Sequence, residues 1–397
     1  MFTIDTDFLN DRIKVKINSK DTDIQNIEYA FYLYRNDIRE KVIWYQKDSD
    51  IEFDINGEDG IYYVEGFVRN SINKDLIVIV TSEVKEYVNS SIIEYIKPAY
   101  NITGWNRKVF KMSIESFNED FSFQNGIYQF DIGNQNLDLL LQGIELFEKS
   151  KGILVGFSGA VAKREKKYAP FFSGLNVADT LGMPLISVAD PSLSISNRSN
   201  LAWYAGNYLD TTIPEKIAQI LQLFATKLNA KLIMFGGSAG GVAILNIVHY
   251  MNAEVFGAVW NPQTSISKYN KQGVLNYIDS CFPDSQVEND LYCMLDKTGV
   301  THDLTKLYSS RTIGDNIKLL YLQNVGDNMH LKEHATPFLK VLALKKEGEY
   351  IYYKPNNICL WIKYWGDGHI TPSIETVIEI LKGAIENKNP LEIALNL

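Results

Sequence analysis

The spacing of apolar positions changes once along this chain of 397 residues. Up to residue 90 they come in short runs: RIKVKI (12–17), YAFYLY (29–34), KVIWYQ (41–46), IEFDI (51–55), IYYVEGFV (61–68) and DLIVIV (75–80). The runs are rich in β-branched and aromatic side chains, and Asn, Asp, Gly and Ser turns separate them, so 1–90 is expected to be an all-β sandwich. A polar stretch over 91–125, including Lys97-Pro98, reads as a connector. From 126 to 397 the pattern alternates. Continuous apolar runs such as ILVGFSG (153–159), PLISVAD (184–190), KLIMFGG (231–237), VFGAVWNP (255–262), KLLYLQNVGD (318–327) and ICLWIKYWGDGH (358–369) are interleaved with helix-like stretches such as EKIAQILQLFATKL (215–228). Unbroken apolar strands between helices predict a mostly parallel sheet covered on both faces. Residues 264–315 interrupt the alternation and are expected to form an insertion over the carboxyl edge of that sheet.

Within the first segment, Glu58-Asp59-Gly60-Ile61-Tyr62-Tyr63-Val64 resembles the turn and tyrosine corner of an immunoglobulin-like sandwich, with Val64 where such domains often carry cysteine. An unrelated β-meander is the competing reading. Apolar residues make up 46% of the chain and charged residues 22%, an ordinary globular balance. A net charge of −9 argues against a nucleic-acid partner, which needs a basic face. Cys281, Cys293 and Cys359 show neither a pairing framework nor metal-ligand spacing, and read as reduced thiols. The opening MFTIDTDFLNDRIKVKI has no apolar core of signal-peptide length, and no stretch approaches the roughly 18–20 apolar residues of a membrane span. The expectation is a cytoplasmic protein without a membrane span.

Candidate chemistry centres on Gly236-Gly237-Ser238-Ala239-Gly240, with the strand Lys231–Phe235 before it and a helix-like GVAILNIVHYMN after it. A strand–GxSxG–helix sequence is the nucleophile elbow of an α/β-hydrolase fold. The small residues permit a strained turn that lifts Ser238 to the top of the sheet, while the helix N-terminus and the Ala239 N–H face developing negative charge. A phosphate-binding turn is the alternative, but GxGxxG spacing and a Walker lysine are missing. The chain order Ser, acid, His points to His369 as the base and to Asp327 as the acid that holds its imidazole, with Glu333 and Asp367 as rival acids. His249 falls in the helix after the elbow and His302 in the insertion. A second oxyanion donor is expected from Gly156-Phe157-Ser158-Gly159-Ala160, either the Gly159 or Ala160 amide or the Ser158 hydroxyl. The same small residues also suit a plain tight turn.

Three further features remain. The basic run Lys163-Arg164-Glu165-Lys166-Lys167 reads either as a solvated face or, through Lys163 and Arg164, as a device steering an anionic substrate or acyl carrier. Asp190-Pro191-Ser192 and Trp203-Tyr204 follow the carboxyl end of a predicted strand, so this aromatic pair is either core or the floor of a sugar site. His330-Leu331-Lys332-Glu333-His334 matches the H-x-x-E-H string of inverted zinc peptidases, an alternative zinc hydrolase site that Pro337 and the missing third ligand disfavour.

The set ILVGFSGAVAKR, APFFSG, SVADPSL, NLAWYAGN, MFGGSAGG, WNPQTSI, GDNMH and YWGDGH resembles bacterial α/β-hydrolase-like proteins of surface-polysaccharide and glycoprotein biosynthesis. These include capsular-polysaccharide accessory proteins and accessory-Sec glycan O-acetyltransferases. The resemblance covers about 125–380 and puts the serine, acid and histidine on Ser238, Asp327 and His369. It implies a serine-dependent O-acyltransferase or esterase whose partners are an acyl donor, a glycan acceptor and biosynthesis or export machinery; from the residues, neither a cofactor nor a metal is expected. A non-catalytic scaffold in such an assembly is the reading of a different class.

Overall fold

The computed structural model describes residues 2–9, 11–19, 26–88, 91–94, 99–115, 122–147, 149–150, 152–285, 290–355 and 357–397. They form two compact units, Met1–Lys97 and Pro98–Leu397.

The first unit holds β1 (Phe2–Leu9), β2 (Arg12–Ser19), β3 (Ile27–Arg35), β4 (Ile38–Gln46), β5 (Asp50–Asp54), β6 (Gly60–Asn70), β7 (Leu76–Thr81), β8 (Lys85–Val88) and β9 (Ser91–Glu94). One antiparallel sheet runs β1-β2-β5 and the other β4-β3-β6-β8-β9, with β7 also paired to β6. Period-2 alternation decides which face is buried. On β2, Ile13, Val15 and Ile17 turn inward while Lys14 and Lys16 face water. The inward residues meet Phe31, Leu33, Val64 and Val68 of the other sheet in one core. Tyr62 is fully buried there, and its hydroxyl donates to Glu58 O at 2.7 Å, tying strand to turn.

The second unit contains β10 (Val109–Ser113), β11 (Gly126–Asp131), β12 (Asn136–Gln142), β13 (Gly152–Phe157), β14 (Leu185–Val188), β15 (Lys231–Gly237), β16 (Val255–Trp260), β17 (Ile317–Asn324), β18 (Lys345–Glu347), β19 (Ile351–Lys354) and β20 (Ile358–Lys363). Its sheet is ordered β10-β11-β12-β14-β13-β15-β16-β17-β20-β19-β18. The stretch β14-β13-β15-β16-β17-β20 is parallel throughout, and β12 runs antiparallel between β11 and β14. From β11 to β20 this order and polarity are those of the α/β-hydrolase fold. Alternate residues of β15 feed two cores. Leu232 and Met234 pack with the helices Ile213–Leu228 and Ala239–Ile247, whereas Ile233 and Phe235 pack with Leu175–Leu181 and Ile374–Ile385. Burial on both sides is why these strands read as unbroken apolar runs, each buried side chain contributing about 1.5–3 kcal/mol.

The stretch expected as a connector is in part regular structure. β9 extends the six-stranded sheet of the first unit, and β10 pairs in parallel with β11 at the edge of the large sheet. Lys97-Pro98 and residues 116–121 lie outside the described residues. Between β16 and β17 the chain forms the helices Lys271–Cys281, Leu291–Thr298 and Leu304–Ser310. No helix among the described residues is long and apolar enough to cross a membrane.

Candidate active site

Ser238 joins β15 to the helix Ala239–Ile247 with φ 53° and ψ −120°, a strained conformation for a residue with a side chain. Both flanks hold it there. Its N–H donates to Trp260 O at 2.8 Å, and its carbonyl accepts from Val242 N at 3.1 Å. The glycines make room: a Cβ on Gly240 would lie 2.6 Å from Phe157 O, and one on Gly236 would lie 3.0 Å from the same oxygen. A Cβ on Gly237 would overlap the Trp260 indole.

Asp327 follows β17 and is buried at 5% exposure, while His369 follows β20. The His369 Nδ1 and Asp327 Oδ2 are 2.6 Å apart, the length of a charge-assisted hydrogen bond. The rival carboxylates are engaged elsewhere. Asp367 accepts the Tyr364 hydroxyl at 2.9 Å, and Glu333 turns to Lys268 at 3.9 Å and Lys332 at 3.5 Å. The loop carrying His369 is pinned by Asn324, whose amide donates to Gly366 O and Gly368 O, both at 2.8 Å.

A second histidine shares the acid. His330 Nδ1 lies 3.0 Å from Asp327 Oδ1, and its backbone N–H donates to the same oxygen at 3.2 Å. Its ring stacks on His369 with centroids 4.2 Å apart. Burial, then the neighbouring His369, pushes His330 down to about 4, so the ring is neutral near pH 7. Burial raises the Asp327 carboxyl, but the hydrogen bonds from the two histidines outweigh it and hold the group below its usual range. Gln263, in the loop after β16, connects this cluster to the serine: its Nε2 is 2.8 Å from Ser238 Oγ and 2.9 Å from His330 Nε2.

Ser238 and His369 line one groove of about 560 Å³ together with Gly159, Ala160, Trp260 and Val177. A larger groove of about 620 Å³ around Tyr350 and Trp361 contains none of the candidate residues. Gly159 lies against the elbow, since a Cβ built on it would be 3.9 Å from Ser238 Cβ. In the same loop the Ser158 N–H donates to the Tyr204 hydroxyl at 2.8 Å and Val161 N–H to Asn200 O at 2.8 Å. The amides between them are those of Gly159 and Ala160. Ala239 opens its helix, where an N–H has no acceptor within the helix.

The aromatic and basic candidates have other roles. Trp203 and Tyr204 are each only 1% exposed, so they cannot floor a sugar site. They brace the centre from behind: Trp203 Nε1 donates to Gln263 Oε1 at 3.1 Å, and the Tyr204 hydroxyl donates to Val188 O at 3.0 Å while accepting from Ser158. Arg164 is also buried, at 3% exposure, and donates to Lys167 O, Leu193 O, Ser196 O and Ala99 O. It clamps loops and does not steer ligands. Lys163 is exposed and does not line the groove.

The H-x-x-E-H residues do not converge either, because Glu333 faces the lysines. Among the described residues the group near enough to share a metal is Asp327, His330 and His369, whose ligand atoms lie within 4.8 Å of one another. In it both imidazole Nδ1 atoms face the carboxylate.

Sequence reasoning missed Gln263, His330 in this role, and Asn324. Gln263 and His330 lay inside the segments WNPQTSI and GDNMH, and all three sit at or just beyond the carboxyl ends of parallel strands, where α/β folds gather functional groups.

No protein-family model and no curated protein matches this sequence. Among solved structures the chain is similar to the acylaminoacyl peptidase of Pyrococcus horikoshii, at 13% identity and TM-score 0.46 over 98% of this chain and 71% of that one. It is similar to an S-formylglutathione hydrolase from Agrobacterium tumefaciens, at 13% identity and TM-score 0.41 over 68% and 97%. It is also similar to Est1E from Butyrivibrio proteoclasticus, at 12% identity and TM-score 0.39 over 66% and 98%. With TM-scores below 0.5, these likenesses leave the chemistry to rest on the geometry of this chain.

Proposed function

We propose that this protein is a serine-dependent esterase or O-acyltransferase of the α/β-hydrolase type, with Ser238 as nucleophile, His369 as base and Asp327 as acid. The observation that carries the reading is the strained Ser238 sharing a groove with His369, whose Nδ1 is 2.6 Å from a buried Asp327. His369 Nε2 takes the proton from Ser238 Oγ, and Oγ attacks the acyl carbonyl. The Ala239 N–H and the amide of Gly159 or Ala160 hold the oxyanion. The leaving group departs with the proton from His369, and a hydroxyl or water then resolves the acyl-enzyme by the reverse proton path.

The acceptor in this reading is a bacterial surface glycan and the acyl group is acetyl, made use of in the cytoplasm; the resemblance of ILVGFSGAVAKR, MFGGSAGG and YWGDGH supports it. The first unit in this reading is an immunoglobulin-like sandwich, which the Tyr62–Glu58 hydrogen bond supports, and it docks the glycan or a partner. Intact-mass measurement of wild type and Ser238→Ala across a panel of acyl donors tests the proposal. An acyl adduct on wild type only is expected. An adduct of equal yield on Ser238→Ala, or none on wild type with any donor, removes the serine mechanism.

A further inference from the structure

We propose that Gln263 is a further catalytic residue of this centre, with Trp203 and His330 as the positioning residues that aim its amide at the Ser238 hydroxyl oxygen. The inference rests on the serine reading above.

Gln263 is completely buried, and every polar atom of its side chain has a partner. An indole N–H can only donate, so the contact from Trp203 Nε1 requires Gln263 Oε1 on that side. Nε2 therefore faces the opposite way, where its two hydrogens meet Ser238 Oγ at 2.8 Å and His330 Nε2 at 2.9 Å. The second contact requires a lone pair on His330 Nε2, which puts the ring proton on Nδ1, directed at Asp327 Oδ1 at 3.0 Å. A neutral His330 meets all of these conditions, and its burial keeps it neutral. The donors and acceptors are mutually consistent from Trp203 to Asp327.

Ser238 Oγ consequently accepts a hydrogen bond from a fixed amide, and its own proton is left for the groove that Ser238 shares with His369. As that proton leaves, Gln263 stabilises the charge growing on Oγ without any reorganisation. The route Asp327–His330–Gln263–Ser238 joins acid to nucleophile through the ring stacked on His369. The rotamer of the nucleophile is thereby set by a chain of buried hydrogen bonds, which is worth rate through orientation.

The test is steady-state hydrolysis of p-nitrophenyl acetate together with the rate of fluorophosphonate labelling, on the full chain. Gln263→Leu is expected to lower kcat and the labelling rate together, about 10- to 100-fold, the size of one hydrogen bond to developing charge, with KM within about twofold. His330→Phe keeps the stacked ring but loses the acceptor, and is expected to lower kcat several-fold. The double variant is expected to be no slower than Gln263→Leu, because both changes break one chain. Loss confined to folding stability, with kcat and labelling per folded molecule within twofold of wild type, overturns the proposal. Additive losses in the double variant overturn the role of His330. If Gln263→Leu does not fold, Trp203→Phe decides: removing the one donor that orients the amide is expected to lower kcat with KM kept, and an unchanged kcat overturns the inference. Absence of labelling at Ser238 in wild type refutes the serine reading itself, and the relay with it; normal labelling of wild type and Gln263→Leu alike refutes only the relay.

Discussion

Replacing Asp327 by Asn tests the centre most directly, because the carboxylate serves two imidazoles at once. Its oxygens accept from His369 Nδ1 at 2.6 Å, from His330 Nδ1 at 3.0 Å and from the His330 N–H at 3.2 Å. A carboxamide has one oxygen for three donors. If that oxygen stays with His330, the NH2 faces His369, whose Nδ1 must become an acceptor, so Nε2 carries a proton and can no longer act as base. If the amide is flipped, His369 keeps its tautomer and the oxygen lies 2.9 Å from His330 Nδ1, but the NH2 is turned against the His330 backbone N–H. A backbone N–H cannot become an acceptor, whereas the His369 ring can change tautomer, so the first arrangement prevails. The wrong tautomer lowers kcat by about four orders of magnitude where this has been isolated, equivalent to about 5 kcal/mol of transition-state stabilisation. Folding stability changes far less, by about 1–3 kcal/mol, the cost of imperfectly paired buried groups. kcat/KM on p-nitrophenyl acetate, fluorophosphonate labelling and thermal unfolding measure the three quantities. Retention of more than about a tenth of wild-type kcat/KM by a folded Asp327→Asn protein would refute the reasoning. The companion pair His369→Phe and His330→Phe fixes which ring is the base: the first should be the more damaging, and the opposite order would exchange their roles.

Gly240→Ala places a methyl 2.6 Å from Phe157 O, so it should lower stability by about 1–3 kcal/mol and lower activity by moving the elbow; an unchanged melting temperature would contradict that packing. Burial holds His249 at about 4, below the ordinary histidine value near 6.5, so the unfolded chain binds the extra proton and stability is lost as pH falls from about 6.5 towards 4. Relative to wild type, His249→Phe should flatten the fall of the unfolding free energy, read from urea titrations between pH 6.5 and 4.5, by up to about 1.4 kcal/mol per pH unit, and parallel curves would show that the ring does not titrate in that window. Purified protein should retain its esterase activity in chelator; one zinc per chain, lost on His330→Ala together with activity, would replace the serine mechanism. A chain beginning near residue 95 should keep activity on a small ester and lose it on a polymeric glycan, whereas a folded truncation losing both would tie the first unit to the chemistry.

The sequence alone determined the features that depend on residues close together in the chain. The elbow lies within one continuous strand, turn and helix, so GGSAG carried it openly, although the oxygen that demands Gly236 and Gly240 is that of Phe157 on the distant strand β13. Asp327 and His369 were legible because strand ends are marked by runs of buried residues, and chain order then assigns them. The strand β10 was not legible, since VFKMS is short and half polar, and its pairing with β11 is decided by the edge it meets. Only the tertiary structure decided what lies behind the serine. Gln263 meets Ser238 across 25 residues and His330 across 67, because the order β15-β16-β17 brings three strand ends side by side, and it meets Trp203, from the segment after β14, across 60. Arg164 looks like part of a basic surface until the carbonyls of Leu193 and Ser196 close around it. Trp203 and Tyr204 read equally well as a platform or as core. Local pattern reports the period of burial along an element, whereas the partner of a buried donor is set by which elements the sheet places together, and that is a property of the whole chain.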